Sequence, residues 1–320
     1  MVNHNLFSQI ISLENLFLSF YEFKKGKSKK GDVQEFERNL ENSLFRLHEE
    51  LREKKYKHGG YKSFYITDPK LRHIHKAEVS DRIIHHAIYR ILYPIYDRKF
   101  ICDSYSCRID KGTHRAVNRL EYFGRKVSKN HTSGGYVLKC DVRKFFDSID
   151  HNILMETIKD RINDNDLIWL LTTIIKSFKT NSDKGMPIGN LTSQLFANIY
   201  LNELDKYIKY QLKVKYYLRY CDDFLILDKK EETLLFLKSK IDKFLGTNLK
   251  LSLHKDKVTI NKLTKGVDFL GYVALPNHRI LRTKTKRRMF RKVNKNNLSS
   301  YLGLLEHCNG YRLGKRIKQL

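Results

Sequence analysis

The hydrophobic pattern of this chain changes between helical and strand-like periods along its length. Apolar residues recur at helical spacing from Leu6 to Phe20 and again in an amphipathic segment that ends at Leu51. The alternation over 61–75 predicts two paired strands, and a largely buried helix is predicted from 80 to about 100. The first part of the chain is therefore expected to be helical, with one hairpin.

The central part of the chain alternates strands with helices. The predicted elements are, in order, a helix over 112–129, a strand over 136–141, helices between 150 and about 179, a helix over 190–210, a hairpin over 215–228, a helix over 231–245, and strands near 249–260 and 268–274. This mixture predicts an α+β fold in which helices cover one face of a sheet.

Two adjacent carboxylates stand between two apolar runs, in Tyr220-Cys221-Asp222-Asp223. The flanking runs predict short strands, so the pair is expected at or near the turn of a hairpin. Adjacent carboxylates in a buried setting repel each other unless a cation neutralises them. A third one, Asp141, ends another strand-like run. Hard oxygen ligands of this kind suit Mg²⁺, although an Asp-Asp pair alone is also typical of a solvated turn.

The charge balance indicates a polyanionic partner. The 320 residues include 62 Lys and Arg against 35 Asp and Glu, which gives a formal net charge of +27. This excess is far larger than solubility requires. The 19 Tyr and 18 Phe residues supply faces on which unpaired bases can stack, although most of them are expected in the core.

The sequence also bounds the location and excludes some enzyme classes. No apolar run is long enough for a transmembrane helix, and residues 1–6 lack the features of a signal peptide. Five cysteines without a CxxC pair predict a reduced, cytoplasmic protein without a zinc site. Neither a P-loop nor a dinucleotide-binding glycine motif occurs, which argues against an NTPase or a dinucleotide enzyme.

Several motifs, spread over nearly the whole chain, resemble those of reverse transcriptases and stand in the same order. Residues 141–151 resemble the first palm motif of that family, and residues 220–223 resemble its hairpin motif, usually written YxDD. The resemblance implies a right-hand polymerase with fingers, a palm built on a mixed or antiparallel sheet, and a short helical thumb. It also implies two Mg²⁺ ions, with Mn²⁺ as a substitute.

The resemblance assigns the chemistry to carboxylates and one lysine. The implied metal ligands are Asp141, Val142, Asp222 and Asp223. In residues 251–257, which resemble the motif with a lysine that protonates pyrophosphate, Lys257 is the first candidate and Lys255 the second. The implied catalytic residues are Asp141, Asp222, Asp223 and Lys257.

The resemblance also implies a site for the incoming dNTP. Phe146 falls where the family places an aromatic ring under the sugar, which would exclude a 2′-hydroxyl; a core aromatic is the alternative. The basic hairpin 68–72 would hold the triphosphate through Arg72, with Lys70 second, unless it is a solvated charged turn. Residues 185–194 resemble the loop behind the base pair and add Ile188, Gly189 and Gln194.

Contacts with template and primer are implied in three further segments. Arg108 matches a fingers motif, and residues 269–272 resemble the primer-grip hairpin, in which Gly271 and Tyr272 would approach the primer. From 282 to 295 there are eight Lys or Arg and no acidic residue, which favours nucleic-acid contact over a solvated face. The predicted contacts there are Arg282, Lys286, Arg287 and Arg288.

The predicted domains follow from the order of these motifs. They are an N-terminal basic helical extension over 1–60, fingers over 61–134, a palm over 135–275 of which about 160–190 belongs partly to the fingers, and a short basic helical thumb over 276–320.

Within the family, the chain resembles the reverse transcriptases of diversity-generating retroelements. The resemblance rests on residues 188–194, on the segment 305–311, and on Ile188 and Gln194, where the common pattern has Gln and Pro. It implies copying of a template-repeat RNA into cDNA with errors opposite adenine, and a small basic oligomeric accessory protein. Because Ile188 only packs where Gln can hydrogen-bond, nucleotide discrimination is expected to be lower.

Two other functions stay open. The chain is alternatively another compact bacterial reverse transcriptase, of the retron or phage-defence type, although the Val-Thr-Gly thumb signature of retron enzymes is missing. A catalytically silent RNA-binding scaffold would suit the charge, but it would not need three carboxylates. The histidines His73, His75, His85 and His86 fit no usual zinc spacing and are interpreted as fingers residues beside nucleic acid.

Overall fold

The structure of the protein is a computed structural model that describes residues 5–68, 70–180 and 183–319. Pro69 of the predicted basic hairpin lies outside the described residues, as do the outermost residues of the predicted extension and thumb. The helices are α1 Leu6–Ile11, α2 Leu13–Lys24, α3 Gly31–Arg38, α4 Leu40–Arg52, α5 Val79–Asp97, α6 Thr113–Val127, α7 Phe145–Ser148, α8 His151–Lys159, α9 Asn165–Lys176, α10 Leu191–Lys206, α11 Glu231–Asn248, α12 Thr283–Lys292, α13 Leu298–Glu306 and α14 Tyr311–Ile317.

The strands are short and most of them lie in the second half of the chain. They are β1 Tyr61–Ile66, β2 Arg72–Ala77, β3 Tyr136–Asp141, β4 Tyr217–Tyr220, β5 Asp223–Asp228, β6 Thr259–Lys262, β7 Val267–Phe269, β8 Tyr272–Ala274 and β9 Arg279–Leu281. The mixture confirms the predicted α+β class.

The first of two compact units comprises the described residues up to 101, residues 143–205 and residues 245–251. Helix α5 packs against α1, α2 and α3, and the apolar side of α2 is buried through Leu16, Phe20 and Phe23. The predicted helical period over 6–20 is correct, but the helix is interrupted at Ser12. The Ser12 side chain accepts a hydrogen bond from the Asn15 amide and so caps α2.

The second unit comprises residues 102–142, 206–244 and 252–319. Its main sheet has the order β4-β5-β3-β6, and a smaller sheet has the order β7-β8-β9. Within the described ranges, every pairing between these strands is antiparallel. Of the two predicted alternatives, mixed or antiparallel, the sheets are therefore antiparallel. Helix α6 packs against β4, β5 and β8 and closes a core around Leu120, Leu218 and Phe269.

The strand predicted near 249–260 is wrong in its first half. Leu249, Leu251 and Leu253 alternate and are buried, but the regular ladder begins only at β6, after a 3₁₀ turn at Lys255–Lys257. An alternating pattern reports which side chains face the core, and it does not report whether the backbone has a partner strand.

The described residues include no helix that has both the length and the apolar character needed to cross a membrane. The two units are defined by compactness, so the predicted boundaries of fingers, palm and thumb stay a prediction.

Candidate active site

Three carboxylates meet at one end of β3 and β5, the two central strands of the main sheet in the second unit. We call this end of the strands the carboxylate edge. Strands β3 and β5 pair in the register that sets Asp141 opposite Asp223. Strands β4 and β5 are joined by a two-residue turn, Cys221-Asp222, as the hairpin prediction required. The Val142 amide donates to the Asp222 carbonyl at 3.3 Å, which ties the end of β3 to the turn. The strand ladder thus brings together the carboxylates of Asp141, Asp222 and Asp223.

The environment of these carboxylates disfavours their charge. Burial raises the pKa of Asp222, and the neighbouring Asp141 raises it further. Burial also raises the pKa of Asp223 to about 6, to which Asp222 and Asp141 contribute. Paired acidic groups with raised pKa values are typical of sites that bind cations or transfer protons.

One ammonium group lies against this carboxylate edge. Lys257 ends the 3₁₀ turn after Leu253, and its Nζ donates to Asp141 Oδ1 at 2.8 Å. The turn is held in place because the His254 amide donates to the Asp141 carbonyl at 2.8 Å. Lys255, the second candidate, is exposed, as is Lys257. The structure therefore places Lys257, the first candidate, beside a predicted metal ligand.

A buried arginine under the turn was missed from the sequence. Arg219, on β4, is fully buried, and its guanidinium donates to the Cys221 carbonyl at 3.1 Å. Cys221 has a φ of +57°, a conformation that costs a non-glycine residue about 1 kcal/mol. The available signal was a single charged residue in the otherwise apolar run that leads into the turn. Arg219 holds the backbone that presents Asp222.

The donor set suits a hard divalent ion. Among the described residues, no group of three or more His, Cys, Asp or Glu is arranged so that it could hold a metal ion by itself. Mg²⁺ ordinarily takes one or two carboxylates and completes its shell with water and substrate phosphate. The residues that would hold it are Asp141, Asp222, Asp223 and the backbone of Val142, so the composition of the edge fits the metal.

The predicted dNTP residues belong to the first unit. Phe145 is buried, whereas Phe146 is half-buried, and their rings meet edge to face at 5.3 Å. The Ile188 carbonyl accepts a hydrogen bond from the His75 amide of β2 at 3.0 Å. Gly189 has a φ of +114°, and a Cβ there would lie 2.8 Å from Ile74 Cγ2. The loop around Ile188 and Gly189 is thereby fixed against β2.

The remaining dNTP candidates are open to solvent. Lys70 and Arg72 are exposed in and beside the hairpin β1–β2, and Gln194 is exposed on α10. Ile188 is half-buried. These side chains are accessible to a ligand, and their assignment to the dNTP stays a prediction.

The predicted template and primer contacts differ in how they are placed. Arg108 is half-buried and donates to the Ser104 carbonyl at 3.0 Å. Leu270 and Gly271 both have positive φ in the tight turn between β7 and β8, as a two-residue hairpin requires. The Tyr272 side chain is buried, and its hydroxyl donates to the Leu304 carbonyl at 3.1 Å.

The four predicted basic contacts in the segment 282–288 differ in their exposure to solvent. Lys286 and Arg287 are exposed on α12, whereas Arg288 is half-buried. Arg282 is half-buried and forms an ion pair with Asp268. Lys286 and Arg287 are therefore the more accessible of the four predicted contacts.

Comparison with known proteins gives the family. Residues 57–274 match the model described as "Reverse transcriptase (RNA-dependent DNA polymerase)". Because the match covers more than half of the chain, the protein belongs to the reverse transcriptase family. A structure of apo telomerase from Candida tropicalis, truncated from its C-terminal domain, has a TM-score of 0.53 at 15% identity and covers 71% of this chain and 55% of that one. This likeness confirms the predicted right-hand polymerase fold.

The chain is also similar to curated proteins from bacteria, one of which is encoded by a group II intron. It is 27% identical to Protein YkfC of Escherichia coli, over 69% of this chain and 66% of that protein. It is 24% identical to Group II intron-encoded protein LtrA of Lactococcus lactis subsp. cremoris, over 92% and 58%. It is 30% identical to the Retron Ec73 reverse transcriptase of Escherichia coli, over 38% and 43%. The chain thus covers less than two thirds of each of these relatives.

Proposed function

We propose that the chain is an RNA-directed DNA polymerase that copies an RNA template into cDNA from dNTPs. One observation carries the proposal: Asp141, Asp222 and Asp223 converge at a sheet edge, with the Lys257 ammonium against Asp141. A scaffold that only binds RNA has no need of three neighbouring carboxylates. Their mutual repulsion and their loss of hydration both oppose burial.

In the proposed reaction the primer 3′-hydroxyl attacks the α-phosphate of the dNTP, and pyrophosphate leaves. Divalent ions held by Asp141, Asp222, Asp223 and Val142 would supply activation of the hydroxyl and neutralisation of phosphate charge. Lys257 donates a proton to the departing pyrophosphate, because its ammonium is already positioned at the carboxylate edge.

In this proposal Phe146, Arg72 and Lys70 select and hold the incoming nucleotide. The half-buried Phe146 is held by its edge contact with the buried Phe145 and excludes a 2′-hydroxyl by its bulk. Arg72 and Lys70 neutralise triphosphate charge. Arg108, Gly271 and the thumb cations contact template and primer in this proposal.

We further propose that synthesis is error-prone opposite adenine, as in diversity-generating retroelements. Ile188 supports this finer assignment, because its half-buried side chain offers no hydrogen bond where the common glutamine has one. Each loss of about 1.4 kcal/mol in discrimination corresponds to about a tenfold higher error rate. The template-repeat RNA, the small basic accessory protein and the cytoplasmic location rest on the sequence alone.

A retron or phage-defence enzyme is the second candidate. The similarity to the Retron Ec73 reverse transcriptase, over 38% of the chain, favours it. The two candidates share the polymerase chemistry and differ in product fidelity and in the RNA that is copied.

Primer extension on an adenine-containing RNA template, with Mg²⁺, dNTPs and sequencing of every product, tests these assignments. We expect templated cDNA, and we expect Asp222→Ala to abolish it. Asp228→Asn is the matched control, because Asp228 lies at the opposite end of strand β5 from Asp223 and the carboxylate edge. Retained synthesis by Asp222→Ala would refute the metal assignment. No product, even with co-purified RNA and accessory protein, would refute the polymerase.

The fidelity of the same products separates the finer candidates. Errors clustered opposite adenine support the retroelement enzyme, and Ile188→Gln is then expected to reduce them. Accurate cDNA would support a retron-type enzyme, and untemplated product a phage-defence enzyme. An unchanged adenine error rate in Ile188→Gln would show that Ile188 does not set fidelity.

A further inference from the structure

The hairpin β1–β2 carries an ordered set of aromatic rings on one face. Tyr65 and His73 lie directly opposite each other in the ladder. Their rings are stacked, with centroids 4.4 Å apart and planes 8° from parallel. The His75 ring follows on the same face, 4.2 Å from His73 and tilted by 54°, and it meets the Phe178 ring edge to face at 4.7 Å. We call Tyr65, His73, His75 and Phe178 the hairpin ring stack.

The hairpin ring stack is anchored at one end and open at the other. Phe178 and His75 are half-buried, and Phe178 also meets the ring of Tyr61 at 5.6 Å. The Tyr61 hydroxyl is in turn hydrogen-bonded to Ser177 Oγ at 2.7 Å. His73 is exposed, and Tyr65, the terminal ring, is 64% exposed. The parallel pair of Tyr65 and His73 therefore presents the flat face of Tyr65 to solvent.

The surroundings of this face are cationic. The segment 61–77 contains Lys62, Lys70, Arg72 and Lys76 and one acidic residue, Asp68. Lys62, Lys70 and Arg72 are exposed. Flat rings beside cations suit a polyanion with aromatic faces, and in nucleic acids those faces are available where bases are unpaired. A duplex presents mainly phosphates, which cations alone can contact.

We propose that the hairpin ring stack binds an unpaired nucleobase of single-stranded RNA, which extends the stack from the free face of Tyr65. The rings are ordered before the ligand arrives, so little conformational entropy is lost on binding. The proposal rests on the proposed function in that the strand is the RNA to be copied. It gives a role to His73 and His75, which lie in no metal site among the described residues.

The test measures RNA binding by the full chain, without dNTPs, by fluorescence anisotropy. The variant is Tyr65→Leu, and Phe64→Leu is the matched control, because Phe64 is the adjacent exposed ring on the opposite face of the same strand. We expect Tyr65→Leu to weaken binding of a short single-stranded RNA about tenfold. Phe64→Leu and Tyr65→Phe are expected to stay within about twofold of the parent affinity.

Two further ligands separate base stacking from other causes. With an RNA duplex, and with a strand whose bases are removed, the parent and Tyr65→Leu are expected to bind equally. The salt dependence is expected to be the same in both proteins, because no phosphate contact is lost. Equal loss on the duplex or the abasic strand, or an equal loss in Phe64→Leu, would overturn the proposal. Thermal unfolding confirms that the variants fold.

The outcome is independent of catalysis. Unchanged single-strand binding by Tyr65→Leu, with normal primer extension, overturns the ring-stack proposal and leaves the polymerase intact. Tyr65-dependent binding by a protein that makes no cDNA supports the ring stack and counts against the polymerase.

Discussion

The role of Lys257 is the most direct consequence of the carboxylate edge. Lys257 donates to Asp141 at 2.8 Å, and Lys255 lies two residues earlier on the same 3₁₀ turn. If Lys257 protonates the leaving pyrophosphate, its replacement by Ala removes a general acid. Such a loss ordinarily costs about 100-fold or more in rate, which is about 2.7 kcal/mol in the activation free energy. Lys255→Ala is expected to leave the rate unchanged.

The structure also indicates that Lys257→Ala will fold. The Lys257 side chain is 47% exposed, so the solvent screens its ion pair with Asp141, and such pairs contribute at most about 1 kcal/mol to stability. The same change removes a cation that competes with a metal ion for Asp141. We therefore expect the Mg²⁺ concentration at half-maximal activity to fall in Lys257→Ala, while the maximal rate falls as well.

Single-turnover incorporation of one dNTP, measured over a Mg²⁺ titration, separates these two effects. Lys257→Arg retains the charge near Asp141 and, as a much weaker acid, is expected to restore the Mg²⁺ requirement more than the rate. The general-acid assignment is refuted if the rate deficit of Lys257→Ala disappears at saturating Mg²⁺. It is also refuted if Lys255→Ala is equally slow.

Two of three further predictions concern the supports of the site, and the third concerns a half-buried histidine of helix α5. Gly189→Ala is expected to lower the free energy of unfolding by about 1–3 kcal/mol, because its φ is +114° and its Cβ would clash, whereas Gly246→Ala, with open space around it, is expected to be neutral or stabilising in urea unfolding. Arg219→Met is expected to cost about 2 kcal/mol and to slow incorporation, because the Cys221 carbonyl loses a charged donor; a full rate would contradict this role. Burial lowers the pKa of His86 to about 4 in the folded protein. As the pH falls below about 6.5, His86 is therefore protonated in the unfolded chain before it is protonated in the folded protein. Stability should therefore fall between about pH 6.5 and 4 less steeply in His86→Gln than in the parent, and parallel pH profiles would contradict the assignment.

The parts of the site that the sequence predicts are those fixed by local pattern. Apolar runs on both sides of Asp222 and Asp223 indicate a buried hairpin, and the apolar run before Asp141 indicates a strand that ends at a carboxylate. Antiparallel pairing then sets Asp141 opposite Asp223. These predictions succeed because short, buried strands leave few alternative registers.

The parts that the sequence does not predict depend on hydrogen-bond partners, caps and strand pairing, which a hydrophobic pattern does not record. Arg219 contradicts the apolar pattern around it, and its reason is visible only when its donation to the Cys221 carbonyl is known. The buried, alternating leucines before Lys255 predict a strand, yet the regular ladder begins only at β6. The end of the N-terminal helix at Ser12 depends on a single side-chain cap. Periodicity records burial, and it records neither hydrogen-bond partners nor caps.

The carboxylates of the carboxylate edge lower the stability of the fold, so their presence there is accounted for by the proposed chemistry. Burial raises the pKa values of Asp222 and Asp223, so the ionised forms oppose the folded state near neutral pH. Cys221, immediately before them in the chain, adds an unfavourable backbone conformation. The fold tolerates these costs because β4 and β5 are buried among apolar side chains such as Leu218 and Phe224. Neutral side chains at this edge would favour the folded state, and in the proposed function a divalent cation removes the repulsion between the carboxylates.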